Sequence, residues 1–135
     1  MQKNVKKSGL RIDLKESGLP MLFKPYQYTL LLHIWENVDE DNAIGSGKAH
    51  EFILTTDDKK SRASVIFFLN DMVDEGVLGW HDRTGKGGHH RLYYPIMTQA
   101  QFWKHIARQA YAKIIEASGD ASIFEGARAV AAAEP

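Results

Sequence analysis

The sequence predicts an α+β chain, mainly α, in which three helices lead into a two-stranded hairpin and a further helix follows. Two observations carry that expectation. Residues 61–95, SRASVIFFLNDMVDEGVLGWHDRTGKGGHHRLYYP, hold a helical apolar repeat, a glycine stop, then period-two alternation around a basic, glycine-rich tip. Residues 98–115 hold a second, wider helical stripe. With two shorter helices ahead of Ser61, this is the element order of a winged helix-turn-helix with a two-stranded wing and a C-terminal dimerisation helix. Such a shape suits docking on duplex DNA rather than chemistry.

Residues 1–20 contain Gly9, Gly18 and Pro20 with scattered apolar positions, and they read as an extended basic arm. Pro25 can open a first helix, because its missing N–H would have had no helical partner. Tyr28, Leu31, Leu32 and Trp35 then recur at i, i+3, i+4 and i+7 and define its inner face. The acidic run 39–42 is a loop. Ser46 is the expected N-cap of a short second helix that turns Ala49, Phe52 and Ile53 inward. Ser61 caps the third helix, residues 61–75, whose core stripe is Val65, Phe68, Leu69, Met72 and Val73; Gly76 ends it. The wing spans 79–94, with Leu78, Trp80 and Asp82 on one face of the first strand and His90, Leu92 and Tyr94 on one face of the second. Thr84 to Gly88 forms its loop. Thr98 and Gln101 match a capping box, and the helix they open ends near Gly119. The organisation expected is therefore an arm at 1–20, a winged-helix domain at 21–97, a dimerisation helix at 98–119 and an Ala-rich tail at 120–135.

The composition excludes several function classes. The absence of cysteine removes disulfides, thiol catalysis and cysteine-held metals. No apolar run approaches the roughly 20 residues a bilayer span needs, and the basic start lacks an apolar segment behind it, so a cytoplasmic protein is expected. The formal net charge is zero, but it is unevenly spread. Residues 1–20 carry five Lys/Arg against two acids, and residues 21–60 carry four against seven. Arg83, Lys86 and Arg91 gather around the hairpin tip, opposed locally by Asp82, so basic groups concentrate in an arm and a wing.

Projected at 3.6 residues per turn, Ala63, Ser64, Phe67, Asn70, Asp71 and Asp74 face away from the core stripe of the third helix. Arg62 stands in its first turn, able to reach a phosphate or a guanine edge, while Ser64 and Asn70 can hydrogen-bond to bases or backbone. The alternative is an ordinary amphipathic helix with a polar outside. Phe67 has three open readings: contact with a thymine methyl, a protein–protein anchor, or burial beneath the acidic loop or the arm. In the wing, Gly85, Gly87 and Gly88 allow close backbone approach, Arg83, Lys86 and Arg91 supply charge, and His89 and His90 can donate hydrogen bonds. His81, His89 and His90 lack metal-ligand spacing, since adjacent strand residues point to opposite faces. Gly45-Ser46-Gly47-Lys48 lacks the full phosphate-loop pattern. No catalytic grouping, metal or cofactor is expected. The stripe Phe102, Trp103, Ile106, Ala110, Tyr111 and Ile114 is the expected homodimer interface, with packing back beside Trp35 as its alternative.

LLHIWENV, then SRASVIFFLNDMVDEGVL, the wing and the continuation YYPIMTQAQFW together resemble the penicillinase-repressor family of bacterial winged-helix regulators, from about Pro25 to Ile115. Ile34-Trp35, Ser61 and Tyr94-Pro95 are the individual points of likeness; the multiple-antibiotic-resistance regulator group is similar on the same helix-and-wing order. The resemblance implies a homodimeric repressor on a palindromic operator, joined through its C-terminal helices. It places Arg62, Ser64, Phe67 and Asn70 on the recognition helix and Arg83, Lys86 and Arg91 on the wing. Phe67 and Asp71 depart from the Thr- or Arg-like polar character usual on that face. The cysteine cluster of copper-responsive relatives is missing. Zero net charge, the acids of the third helix and outward Phe67 also fit a protein-interaction module without specific DNA binding, and an effector, whether small molecule or protein, is not named by any motif.

Overall fold

The computed structural model describes residues 10–85 and 88–125. The chain forms two compact units, Met1–Thr98 and Gln99–Pro135. The first is α+β and mainly helical. A 3-10 turn at Leu19–Met21 precedes α1 (Pro25–Asn37), β1 (Ile44–Gly45), α2 (Ser46–Leu54), α3 (Arg62–Asp74), β2 (Leu78–Gly85) and β3 (Gly88–Pro95). The three strands form one antiparallel sheet in the order β1-β3-β2. The second unit holds α4 (Gln99–Ser118).

Local chemistry fixes the helix ends. Pro25 occupies the first turn of α1, and the Lys24 backbone N–H donates to Gln27 Oε1 at 2.9 Å. Ser61 caps α3, its Oγ accepting from the Ser64 backbone N–H at 3.1 Å. At the other end Gly76 takes φ 83°, the left-handed region that a side chain disfavours. The Gly76 N–H then reaches Val73 O and the Val77 N–H reaches Met72 O, which satisfies two carbonyls at the helix end in a Schellman closure. Val77 is thereby buried, and the chain turns directly into β2.

The core of this unit joins Leu30, Leu31 and Ile34 of α1 to Ala49 and Ile53 of α2 and Val65, Phe68, Leu69 and Met72 of α3. Val77, in the connection to β2, and Leu78 and Tyr93 of the sheet close it. Each fully buried aliphatic side chain contributes roughly 1.5–3 kcal/mol relative to exposure. Phe23 and Tyr26 meet Phe68 edge-on, with ring centroids 5.7 and 6.3 Å away.

Several expectations are corrected. The inner face of α1 is Tyr26, Leu30, Leu31 and Ile34, while Tyr28, Leu32 and Trp35 are half-buried. LLLHIW is apolar around most of its circumference, so the stripe had more than one self-consistent placement. Ser46 is the first residue of α2, not its cap; Gly45 holds the cap position without a side-chain bond. The arm is not uniformly extended, since residues 10–20 include a backbone bond from Asp13 N–H to Met21 O at 2.8 Å, and Leu19 is buried. The wing loop is shorter than Thr84–Gly88, because the ladder continues to the pair Gly85–Gly88. β1 adds a third strand to the two-stranded hairpin that the sequence predicts.

In the second unit, Phe102 and Ile106 of α4 are buried, Trp103 and Ala110 are half-buried, and Tyr111 and Ile114 are exposed. Past Gly119, residues 123–125 are helical, and the Phe124 ring lies 4.3 Å from that of Tyr111. Residues 126–135 of the tail lie outside the described residues. Among the described residues no helix is long and apolar enough to cross a membrane.

Candidate nucleic-acid interface

Register decides what the hairpin presents on each side. Trp80 pairs with Tyr93, Asp82 with Arg91 and Thr84 with His89, so these six share one face. His81, Arg83 and Gly85, paired with Leu92, His90 and Gly88, share the other. Arg83 and Arg91 thus leave opposite sides of the sheet instead of gathering at the tip, because positions eight apart on a two-residue period still face apart once the turn reverses the strand. Lys86 lies outside the described residues.

The face carrying Arg91 is tied to α3. The Tyr93 hydroxyl donates to Asn70 Oδ1 at 2.7 Å, and Arg91 Nη1 donates to the same oxygen at 3.0 Å. The Arg91 guanidinium also lies over the Trp80 ring, 4.2 Å from its centroid. Burial pushes the Tyr93 hydroxyl pKa above its usual value, and the Arg91 charge opposes the shift. Asn70 and Arg91, both expected to meet DNA, hold each other. His89 Nδ1 stands 3.9 Å from Asp82 Oδ2 on this face.

The outer face of α3 is less polar than its sequence implied. Ser64 Oγ accepts the Ser61 hydroxyl at 3.1 Å inside the capping pair. Arg62 turns back toward α2, with Nη2 3.5 Å from Ser46 Oγ. Phe67 is 71% exposed, so neither the acidic loop nor residues 10–20 bury it.

The other hairpin face forms a cleft with the start of α2. About 770 Å³ in volume, it is bounded by Arg83, Gly85, His90 and Leu92 from the hairpin, residues 42–48 around β1 and the first turn of α2, Arg62 from α3, and His33, Asn37 and Val38 from α1. Lys48, Arg62 and Arg83 bring three positive charges, Glu51 Oε1 stands 3.7 Å from Lys48 Nζ, and no carboxylate residue is among the described lining residues. The first-turn N–H groups of α2 have no partners earlier in the helix, and the helix dipole adds positive potential there. β1 builds this place: Ile44 and Gly45 pair with Tyr93 and Leu92, which brings the α2 start beside the hairpin. His33 stacks on Phe52 with centroids 3.8 Å apart, and Asn37 Nδ2 donates to its Nδ1 at 3.2 Å. Burial lowers the His33 pKa, opposed by the nearby Glu36 charge.

Arg62, Arg83 and His90 are thus brought together, whereas Asn70 and Arg91 are drawn to the opposite hairpin face. Lys48 and the glycine-flanked start of α2 were missed as site residues. Their only signal was the short Gly45-Ser46-Gly47-Lys48 run, which fails as a phosphate loop but still exposes backbone N–H groups. A separate cavity of about 440 Å³ lies between residues 10–24 and α3, floored by Leu22, Phe23, Phe68 and Met72. Among the described residues no three His, Asp or Glu side chains are grouped as metal ligands. No family model, curated protein or solved structure matches the chain significantly.

Proposed function

We propose that this chain is a winged-helix DNA-binding protein that acts as a transcriptional regulator in the cytoplasm. The basic cleft between the hairpin and α2 carries the reading. Three cationic side chains, one of them Arg62 from the first turn of α3, and a helix start converge there, an arrangement that favours a phosphodiester strand running past a helix seated in the major groove. Zero net charge is no obstacle, because local potential governs the encounter. The hairpin serves as the wing. Repression as a homodimer, in the manner of the penicillinase repressors that the sequence resembles, would use the exposed part of α4, namely Tyr111 and Ile114.

Fluorescence anisotropy with the protein's own upstream duplex and a scrambled duplex, titrated across salt, tests the proposal. Preference for the native duplex and a linear fall of log affinity with log salt, roughly 0.9 per phosphate neutralised, is the expected outcome. Binding to neither duplex at low salt rejects it. One observation favours a second reading: Phe67, at 71% exposure, has the character of an interface anchor. A Phe67→Ala variant that keeps DNA affinity and loses a protein partner would favour an interaction module.

A further inference from the structure

We infer that α3 reads duplex DNA through the 5-methyl groups of thymine, with Phe67 and Ala63 as the reading surface; this rests on the DNA-binding reading above.

The hydrogen-bonding groups expected to read bases are engaged elsewhere in the fold. Adenine is recognised by an amide that offers oxygen and nitrogen together, and guanine by a bidentate cation. Asn70 Oδ1 already accepts from Tyr93 at 2.7 Å and Arg91 at 3.0 Å, so its oxygen is committed and the paired contact to adenine is broken. Arg62 is directed across to Ser46 and lines the cleft, which makes it a phosphate anchor rather than a reader of guanine. Ser64 Oγ is held in the capping pair with Ser61. Asp71 and Asp74, further along, are acceptors when ionised; they cannot donate to the purine N7 positions, and a cytosine amino group is the edge left to them, against repulsion from the phosphates.

Apolar surface remains. Ala63 and Phe67 are four residues apart, one above the other on the outward face, and both are exposed. In the major groove the thymine methyl is the one apolar feature that distinguishes a base pair. Arg62, next to Ala63 in the first turn of α3, lines the basic cleft together with Lys48 and Arg83, and that charge favours a polyanion as the occupant.

The test uses the whole protein and a duplex selected from a library with a random core. The selected duplex is then remade with deoxyuridine in place of every thymine, which removes methyl groups and keeps every hydrogen-bonding edge. Wild-type protein should lose about fourfold in affinity for each methyl it buries, the equivalent of ~0.8 kcal/mol per carbon. Phe67→Ala should bind the thymine duplex more weakly than wild type and bind the two duplexes nearly alike, with an unchanged salt slope. Because Phe67 is 71% exposed, the variant keeps its fold, which a thermal melt verifies. Equal wild-type affinity for the two duplexes overturns the inference, as does a Phe67→Ala protein that still separates them. Recovery of no duplex from the library overturns the DNA-binding reading itself, and this one with it.

Discussion

Removing the Asn70 side chain tests how the hairpin is held on α3. In Asn70→Ala, the Tyr93 hydroxyl loses the acceptor it reaches at 2.7 Å, and Tyr93 is only 3% exposed, so water cannot replace that partner well. A buried donor left unsatisfied costs about 1–3 kcal/mol. Arg91 loses a second bond, but it is exposed and rehydrates, adding a few tenths at most. Alanine returns roughly half a kcal/mol through its helix propensity. The net expectation is a destabilisation of about 2 kcal/mol. Tyr93→Phe deletes the donor along with the bond and should cost about 1 kcal/mol. In the double variant no orphaned hydroxyl exists, so the total should fall to about 1 kcal/mol rather than the additive 3, a coupling of about 2 kcal/mol. Urea unfolding followed by tryptophan fluorescence measures all four proteins, and Trp80 beneath Arg91 reports on the same cluster. Additivity within about 0.3–0.5 kcal/mol would refute the latch.

The hairpin faces predict opposite salt behaviour in DNA titrations: Arg83→Ala should lower the slope of log affinity against log salt by about one, while Arg91→Ala should leave it unchanged. His33 is held below its ordinary pKa of 6.5 chiefly by burial, so the unfolded chain binds the proton more readily than the folded one. Stability present above pH 6.5 is therefore lost on acidification through the lower folded value, and His33→Phe should flatten the fall between pH 7 and 5 relative to wild type. Gly76→Ala places a side chain at φ 83° with nothing within 4 Å of the added carbon, so a loss of about 1 kcal/mol in chemical denaturation isolates the backbone strain.

Helices were the legible part of this chain. Pro25, Ser61 and Gly76 mark boundaries through local stereochemistry, and the stripe of α3 repeats in a way only a helix satisfies. The inner face of α1 was ambiguous because its apolar residues surround the helix. β1 escaped because two residues cannot display a period; only pairing with Leu92 and Tyr93, nearly fifty positions away, makes Ile44 and Gly45 a strand. The interface was half legible for the same reason. Types and elements could be read, but a residue's availability depends on distant partners. Asn70 and Arg91, 21 positions apart, each look free in sequence and meet only through the strand register. Lys48 carries no such signal because the cleft it lines is assembled from six separate elements.

The short pairing between β1 and β3 has an evolutionary consequence. The spacing between the hairpin and the start of α2 is set by main-chain pairing at Ile44–Tyr93 and Gly45–Leu92, independent of side-chain identity. Arg83, Lys48 and His90 can therefore be exchanged for other residues while the two walls keep their separation. Substitution at these exposed positions changes the charge of the cleft while its frame, held by main-chain pairing, stays in place.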